Sequence, residues 1–161
     1  MPKLLLTVKQ WPEFDDNGDL PPGIHEAILA EVLRHFGTST LRRRVVARRL
    51  ERIYNLARGT GQVARFVVFG SFVTAKPDPN DVDIFMLMDD AFDSNVVTGE
   101  AAIIFDHTAA QNAEGASVFW IRRMAAIGGE RAALQHWQIK RDKTMRGIVE
   151  VISDDQKQSG T

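Results

Sequence analysis

The sequence predicts an α/β (α+β) fold, a small mixed sheet backed by helices. Three observations carry that expectation. Residues 64–69, Ala-Arg-Phe-Val-Val-Phe, and residues 82–88, from Val82 to Met88, are short and almost continuously apolar, as buried strands are. Residues 24–36 and 41–58 instead repeat apolar side chains at helical spacing. A third β-rich run, Ala116 to Ile121, follows another helical stretch at 98–110.

Taken in order, residues 10–23 read as loop. Trp11-Pro12, Asp15-Asp16-Asn17-Gly18 and Leu20-Pro21-Pro22-Gly23 are all turn chemistry. Ile24, Ile28, Leu29, Val32, Leu33 and Phe36 give the first helix its apolar face, and Gly37 is its stop. Thr38, Ser39 or Thr40 caps the second helix, whose buried stripe is Leu41, Val45, Val46, Leu50, Ile53, Tyr54 and Ala57. Gly59 and Gly61 bracket its end. Residues 75–80 form a loop between the first two strands. Gly128-Gly129 breaks the chain after the third strand, and a helical stretch follows at 130–137. Residues 137–141 and 147–152 flank a polar turn and read as a hairpin. The expected organisation is one domain over 1–161, with 1–23 as an N-terminal loop and 153–161 as a flexible tail.

Composition narrows the function classes. The chain has 161 residues, 44% apolar and 25% charged, ordinary for a globular protein. Twenty Lys and Arg stand against 21 Asp and Glu, a net charge of −1, so any attraction to a polyanion must be local. With no cysteine, disulfides, thiolate metal sites and a cysteine nucleophile are excluded. The opening Met1-Pro2-Lys3-Leu4-Leu5-Leu6 is too short an apolar run for a signal peptide, and no run approaches the roughly 20 residues of a membrane span. The expected compartment is the cytoplasm, with no membrane partner.

The chemistry concentrates in Phe69-Gly70-Ser71, nine residues, then Asp81-Val82-Asp83. A buried strand running into Gly-Ser makes a tight exit where a phosphate can approach the main chain. Side chains two apart on a strand share a face, so Asp81 and Asp83 can converge on a divalent cation while Val82 and Ile84 enter the core. Oxygen ligands suit Mg²⁺, and such a face can carry one or two ions.

This pattern resembles the polymerase-β-like nucleotidyltransferases over residues 66–85. A longer resemblance, to a small stand-alone bacterial family described only as nucleotidyltransferase-like, runs through Leu20-Pro21-Pro22-Gly23-Ile24-His25-Glu26, Gly70-Ser71-Phe72-Val73-Thr74, Pro79-Asn80-Asp81-Val82-Asp83 and Arg146-Gly147-Ile148-Val149-Glu150. The resemblance implies a minimal nucleotidyltransferase fold. It implies that Gly70 and Ser71, with Lys76 reaching a phosphate, hold a nucleoside triphosphate such as ATP. Asp81 and Asp83 would be the catalytic metal ligands. The implied reaction is Mg²⁺-dependent transfer of a nucleotidyl group to a hydroxyl on protein, RNA or a small molecule. Small stand-alone members often belong to toxin–antitoxin or phage-defence operons, which implies a partner protein from the same operon. Active members place a third carboxylate on the next core strand, where this chain has Ser117, while Asp106, Glu114 and Glu100 lie nearby in sequence. That departure supports an alternative, a catalytically degenerate member binding a nucleotide or a protein partner as an antitoxin or regulatory module.

Other residues carry less. Arg42, Arg43, Arg44, Arg48, Arg49, Arg52 and Arg58 are expected to form a solvated face paired partly with Glu51 and the acidic first helix, against a nucleic-acid patch as the functional option. His25, His35, His107 and His136 lack ligand spacing, so His25 is expected to cap or pack. Trp11, Trp120 and Trp137 are expected to fill the core or an interface. Asp89, Asp90 and Asp93 end the second strand and are expected to face water.

Overall fold

The computed structural model describes residues 8–159. The opening residues 1–6, weighed above as a leader, lie outside them, as do residues 160 and 161 of the tail. Five strands form one mixed sheet: β1 (Ile24–Ile28), β2 (Val63–Phe69), β3 (Val82–Met88), β4 (Ala116–Arg122) and β5 (Ile148–Ile152). Their spatial order is β1-β5-β2-β3-β4. β1 is parallel to β5 and β3 to β4, while β2 runs antiparallel to both β5 and β3. The helices are α1 (Leu29–Phe36), α2 (Leu41–Arg58), α3 (Glu100–Ile104), α4 (His107–Glu114), α5 (Glu130–His136) and α6 (Asp154–Ser159). The expected small mixed sheet with backing helices is therefore observed. Among the described residues no helix is long and apolar enough to cross a membrane.

Strand alternation divides the core in two. On one face Phe66, Val68, Ile84, Met86, Val149 and Val151 pack beneath Val46, Leu50 and Ile53 of α2. Each fully buried aliphatic side chain there contributes about 1.5–3 kcal/mol. On the other face Val67, Phe85, Leu87 and Ile148 meet Leu134 of α5. This second cover is short and leaves the Asp83 end of the sheet open.

Several elements differ from expectation. Residues 24–28 are a strand, because β5 offers their backbone a parallel partner along its whole length; only 29–36 is helical. Leu41 (72% exposed) and Val45 (39%) lie outside the buried stripe of α2, whose limits and Thr40 cap are otherwise as read. The 98–110 helix is two helices. Phe105 closes α3, and Asp106 accepts from the Ala109 N–H to start α4. The 137–141 and 147–152 pair is not a hairpin. Ile139 bridges Met145 within a narrow turn, whereas β5 lies between β1 and β2. The tail is helical to Ser159, opened by a reciprocal cap in which Ser153 accepts from the Gln156 N–H and Gln156 accepts from the Ser153 N–H.

Candidate functional site

The site begins where β2 ends. Phe69 pairs with Asp83 across the β2–β3 ladder. The chain then turns through Gly70, at φ +78, into a single 3₁₀ turn, Ser71–Val73. Only glycine suits this position, for two reasons. The positive φ disfavours a side chain. A Cβ there would also collide with Oδ2 of Asp83, so the carboxylate lies directly on the Gly70 main chain.

The loop after Gly70 is held from beneath. Thr74 donates its hydroxyl to the Ser71 carbonyl at 2.7 Å. Arg43, 4% exposed, reaches up from α2 and donates to the carbonyls of Phe36 (3.0 Å), Phe72 (2.7 Å), Thr74 (2.6 Å) and Lys76. Its guanidinium therefore belongs to the loop rather than to the solvated face expected for it. Lys76 is pinned by its carbonyl and its side chain is exposed; like Gly70, Ser71 and Asp81, it is not among the residues lining the cleft described next, of which Asp83 is one.

Asp83 opens into a cleft of about 650 Å³, whose lining includes Phe69, Ser117, Phe119, Trp137, Arg141 and Arg146. Burial pushes its carboxyl up to about 6, helped by the negative charge of Asp81. The positive charge of Arg146 and a hydrogen bond from Ser117 act the other way. Ser117 sits opposite Asp83 in the β3–β4 register, the place where the resemblance expects a third carboxylate. The nearby acids are engaged elsewhere: Asp106 caps α4, and Glu100 and Glu114 pair with Arg52 at 3.4 and 3.2 Å.

The far wall is residues 136–146. Trp137 packs at a tilt among Phe69 (centroids 4.5 Å), Phe85 (5.0 Å) and Phe119 (5.1 Å). The turn is fixed by the N-terminal loop. Gln138 accepts from the Gly23 N–H at 2.6 Å, Lys140 pairs with Asp19 at 3.0 Å, and the Gly147 N–H donates to the Leu20 carbonyl at 2.8 Å. A Cβ on Gly147 would collide with the Pro21 carbonyl oxygen, which also meets Nε2 of His25 at 2.7 Å. Nε of Arg146 is buried with no hydrogen-bond partner among the described residues. A donor left so beside a cleft is available to an anion.

The structure thus brings together 20–26 with 146–148, far apart in sequence, and 69–74 with 81–83, which a short loop separates. A family model described as "Family of unknown function (DUF6932)" matches residues 12–152, all of these segments included. The chain belongs to that family. No curated protein and no solved structure matches it.

Sequence reading missed the far wall of this DUF6932 chain. Arg146 had a signal, since it opens the Arg-Gly-Ile-Val-Glu segment, but Arg141 and Trp137, and Phe119 of β4 beside them, had none beyond composition. The remaining histidines are accounted for by packing or hydrogen bonding. His35 stacks on Trp11 (4.8 Å), His107 meets the Val118 carbonyl (3.3 Å), and His136 lies edge-on to Trp137. Asp89 lies 3.7 Å from Arg123 and Asp90 accepts from the Met124 N–H, which ties the exit of β3 to that of β4, while Asp93 accepts from the Asn95 N–H in its own turn.

Proposed function

We propose that this DUF6932 chain is a metal-dependent nucleotidyltransferase, moving a nucleotidyl group from a nucleoside triphosphate to a hydroxyl acceptor in the cytoplasm. The observation that carries the reading is the carboxylate of Asp83, seated on Gly70 and repelled by Asp81, at the mouth of a cleft walled by Arg141 and Arg146. The donor set fits Mg²⁺. Two carboxylates are held close enough to raise the affinity of one for a proton, and a hard dication answers the same excess of negative charge with oxygen ligands. When bound, Mg²⁺ would supply charge neutralisation at the reacting phosphate.

The chain's own residues would do the rest. Asp81 and Asp83 would hold the ion; Gly70, lacking a side chain, lets the Asp83 carboxylate rest on its main chain, and the turn it opens would meet a phosphate oxygen. Ser71 would offer its hydroxyl, and Arg146 the Nε–H that has no partner among the described residues. Trp137 and Phe119, tilted 35° to each other, would supply aromatic faces for a base to stack on. An acceptor on a partner protein from the same operon rests on family analogy alone.

Ser117 favours a second reading, a degenerate member that binds nucleotide without transferring it. Calorimetric titration of Mg²⁺ with each of the four nucleoside triphosphates, on wild type and Asp81→Ala/Asp83→Ala, tests both. Metal-dependent binding lost in the double variant, with pyrophosphate released when an acceptor is added, supports transfer. The same binding with no pyrophosphate released from any protein, RNA or small-molecule acceptor supports the degenerate member. A folded protein that binds none of the four rules out both.

A further inference from the structure

The seven arginines of α2 do not act as one patch. Arg43 is buried under the Ser71–Lys76 loop, and Arg52 is neutralised by Glu100 and Glu114. Arg49 lies against Gly115, and Arg58 sits over the Tyr54 ring. Arg42, Arg44 and Arg48 remain; Arg42 is exposed and outside the groove, while Arg44 and Arg48 lie one helical turn apart on the flank facing α1. There they line a groove of about 420 Å³ together with Arg34 of α1, Thr38 and Ala47. Glu51 closes the groove at one side, yet among the described residues none of these three arginines has an ion-pair partner within 4.0 Å. The pairing with Glu51 and α1 expected from the sequence is therefore not made.

Three exposed guanidiniums crowded into one concavity, two of them at i and i+4, repel one another. The chain as a whole is charge-balanced, so this is a local concentration of positive charge and not a property of the surface at large. A concave trough between two helices excludes a flat lipid surface and admits a narrow strand. Guanidinium groups match phosphate oxygens in planar, paired hydrogen bonds. The groove's Thr38 end is also two residues from Thr40, whose hydroxyl donates to the Pro77 carbonyl (3.0 Å) in the loop joining the two halves of the cleft motif.

We propose that the α1–α2 groove binds the phosphodiester backbone of a single-stranded nucleic acid through Arg34, Arg44 and Arg48. The site lies on the opposite face of the sheet from Asp83 and does not depend on the transfer reaction.

The test is fluorescence anisotropy of a labelled, mixed-sequence 20-nucleotide single-stranded RNA across 50–300 mM KCl. Three phosphate contacts give a slope of log K against log salt of about −2. The Arg34→Gln/Arg44→Gln/Arg48→Gln variant should bind at least about tenfold more weakly at 50 mM KCl, and each single variant should flatten the slope by about 0.7. Arg131→Gln, an exposed cation on α5, should bind as wild type does. All three arginines are exposed, so the melting temperature should hold. If the triple variant unfolds, Arg48→Glu alone replaces it, with the same loss expected. Absence of wild-type binding at 50 mM KCl, binding unchanged by these substitutions, or equal displacement by poly-glutamate would overturn the proposal. The last outcome would mark a surface for acidic protein.

Discussion

The two walls of the cleft are built in opposite ways. The acidic wall comes from one stretch, β2 through β3, whose members are neighbours in sequence and are fixed by a ladder, a turn and one buried arginine. The cationic and aromatic wall comes from residues 136–146, and it is held by Asp19, Leu20 and Gly23, more than 110 positions away. A locally encoded wall leaves a motif in the sequence. A wall held by distant loops leaves only scattered residues, and its position depends on the fold being complete.

The two sides break differently. The largest effect is expected from Arg43→Met, which leaves four carbonyls without their donor. At about 1–3 kcal/mol for each buried orphan, the loss should be at least about 4 kcal/mol, read as a fall in the urea midpoint. Next is Gly70→Ala. The added methyl strikes the Asp83 carboxylate at a positive φ, so about 3 kcal/mol should be lost, and Mg²⁺–nucleotide binding with it. A Gly70→Ala variant as stable as wild type would show that Asp83 does not rest on that backbone.

Asp83→Asn should act in the other direction. In the folded protein burial holds the Asp83 carboxyl at about 6, against an ordinary value of 3.8, so its ionisation opposes folding above pH 6. Metal-free wild type should therefore gain stability as pH falls from 7 towards 4, with no further gain from this group below 3.8. The Asn variant should be more stable at pH 7 by about 2 kcal/mol and should lack that part of the pH dependence. Equal stability of the two proteins at pH 7 would show that the carboxylate is well solvated. The smallest effect on folding belongs to the far wall. Arg146→Gln should change stability by less than about 0.5 kcal/mol yet weaken nucleotide binding about tenfold, read by calorimetry. Unchanged affinity would remove the far wall from the proposed site.

Much of the fold was legible in the sequence because the signals were local. The apolar runs at 64–69 and 82–88 are strands within one residue of their read limits, and α2 runs over 41–58 as its periodicity and Thr40 cap require. The errors share a cause. Residues 24–28 satisfy a helical pattern together with 29–36, but a parallel partner 124 residues downstream takes their backbone. Leu41 and Val45 fit the apolar stripe by residue type, yet among the described residues nothing buries their side chains. Asp106 and the Ser153–Gln156 pair were cap signals present in the sequence and passed over.

The sequence by itself determined β2 to β4, the long helix, the Gly70–Ser71 exit and the two-residue spacing of Asp81 and Asp83, because each depends on residues within about one turn or one strand; Asp81, expected on the strand, instead lies one residue before β3, which begins at Val82. Only the tertiary structure decided that Ser117 stands beside Asp83, that Arg43 belongs to the motif loop while Arg34, Arg44 and Arg48 share a groove, and that Arg146 shares the cleft with Asp83. Those facts follow from strand order and from long-range contacts that fix the loops, and a charged side chain's role depends on which neighbours the fold brings within a few ångströms of it.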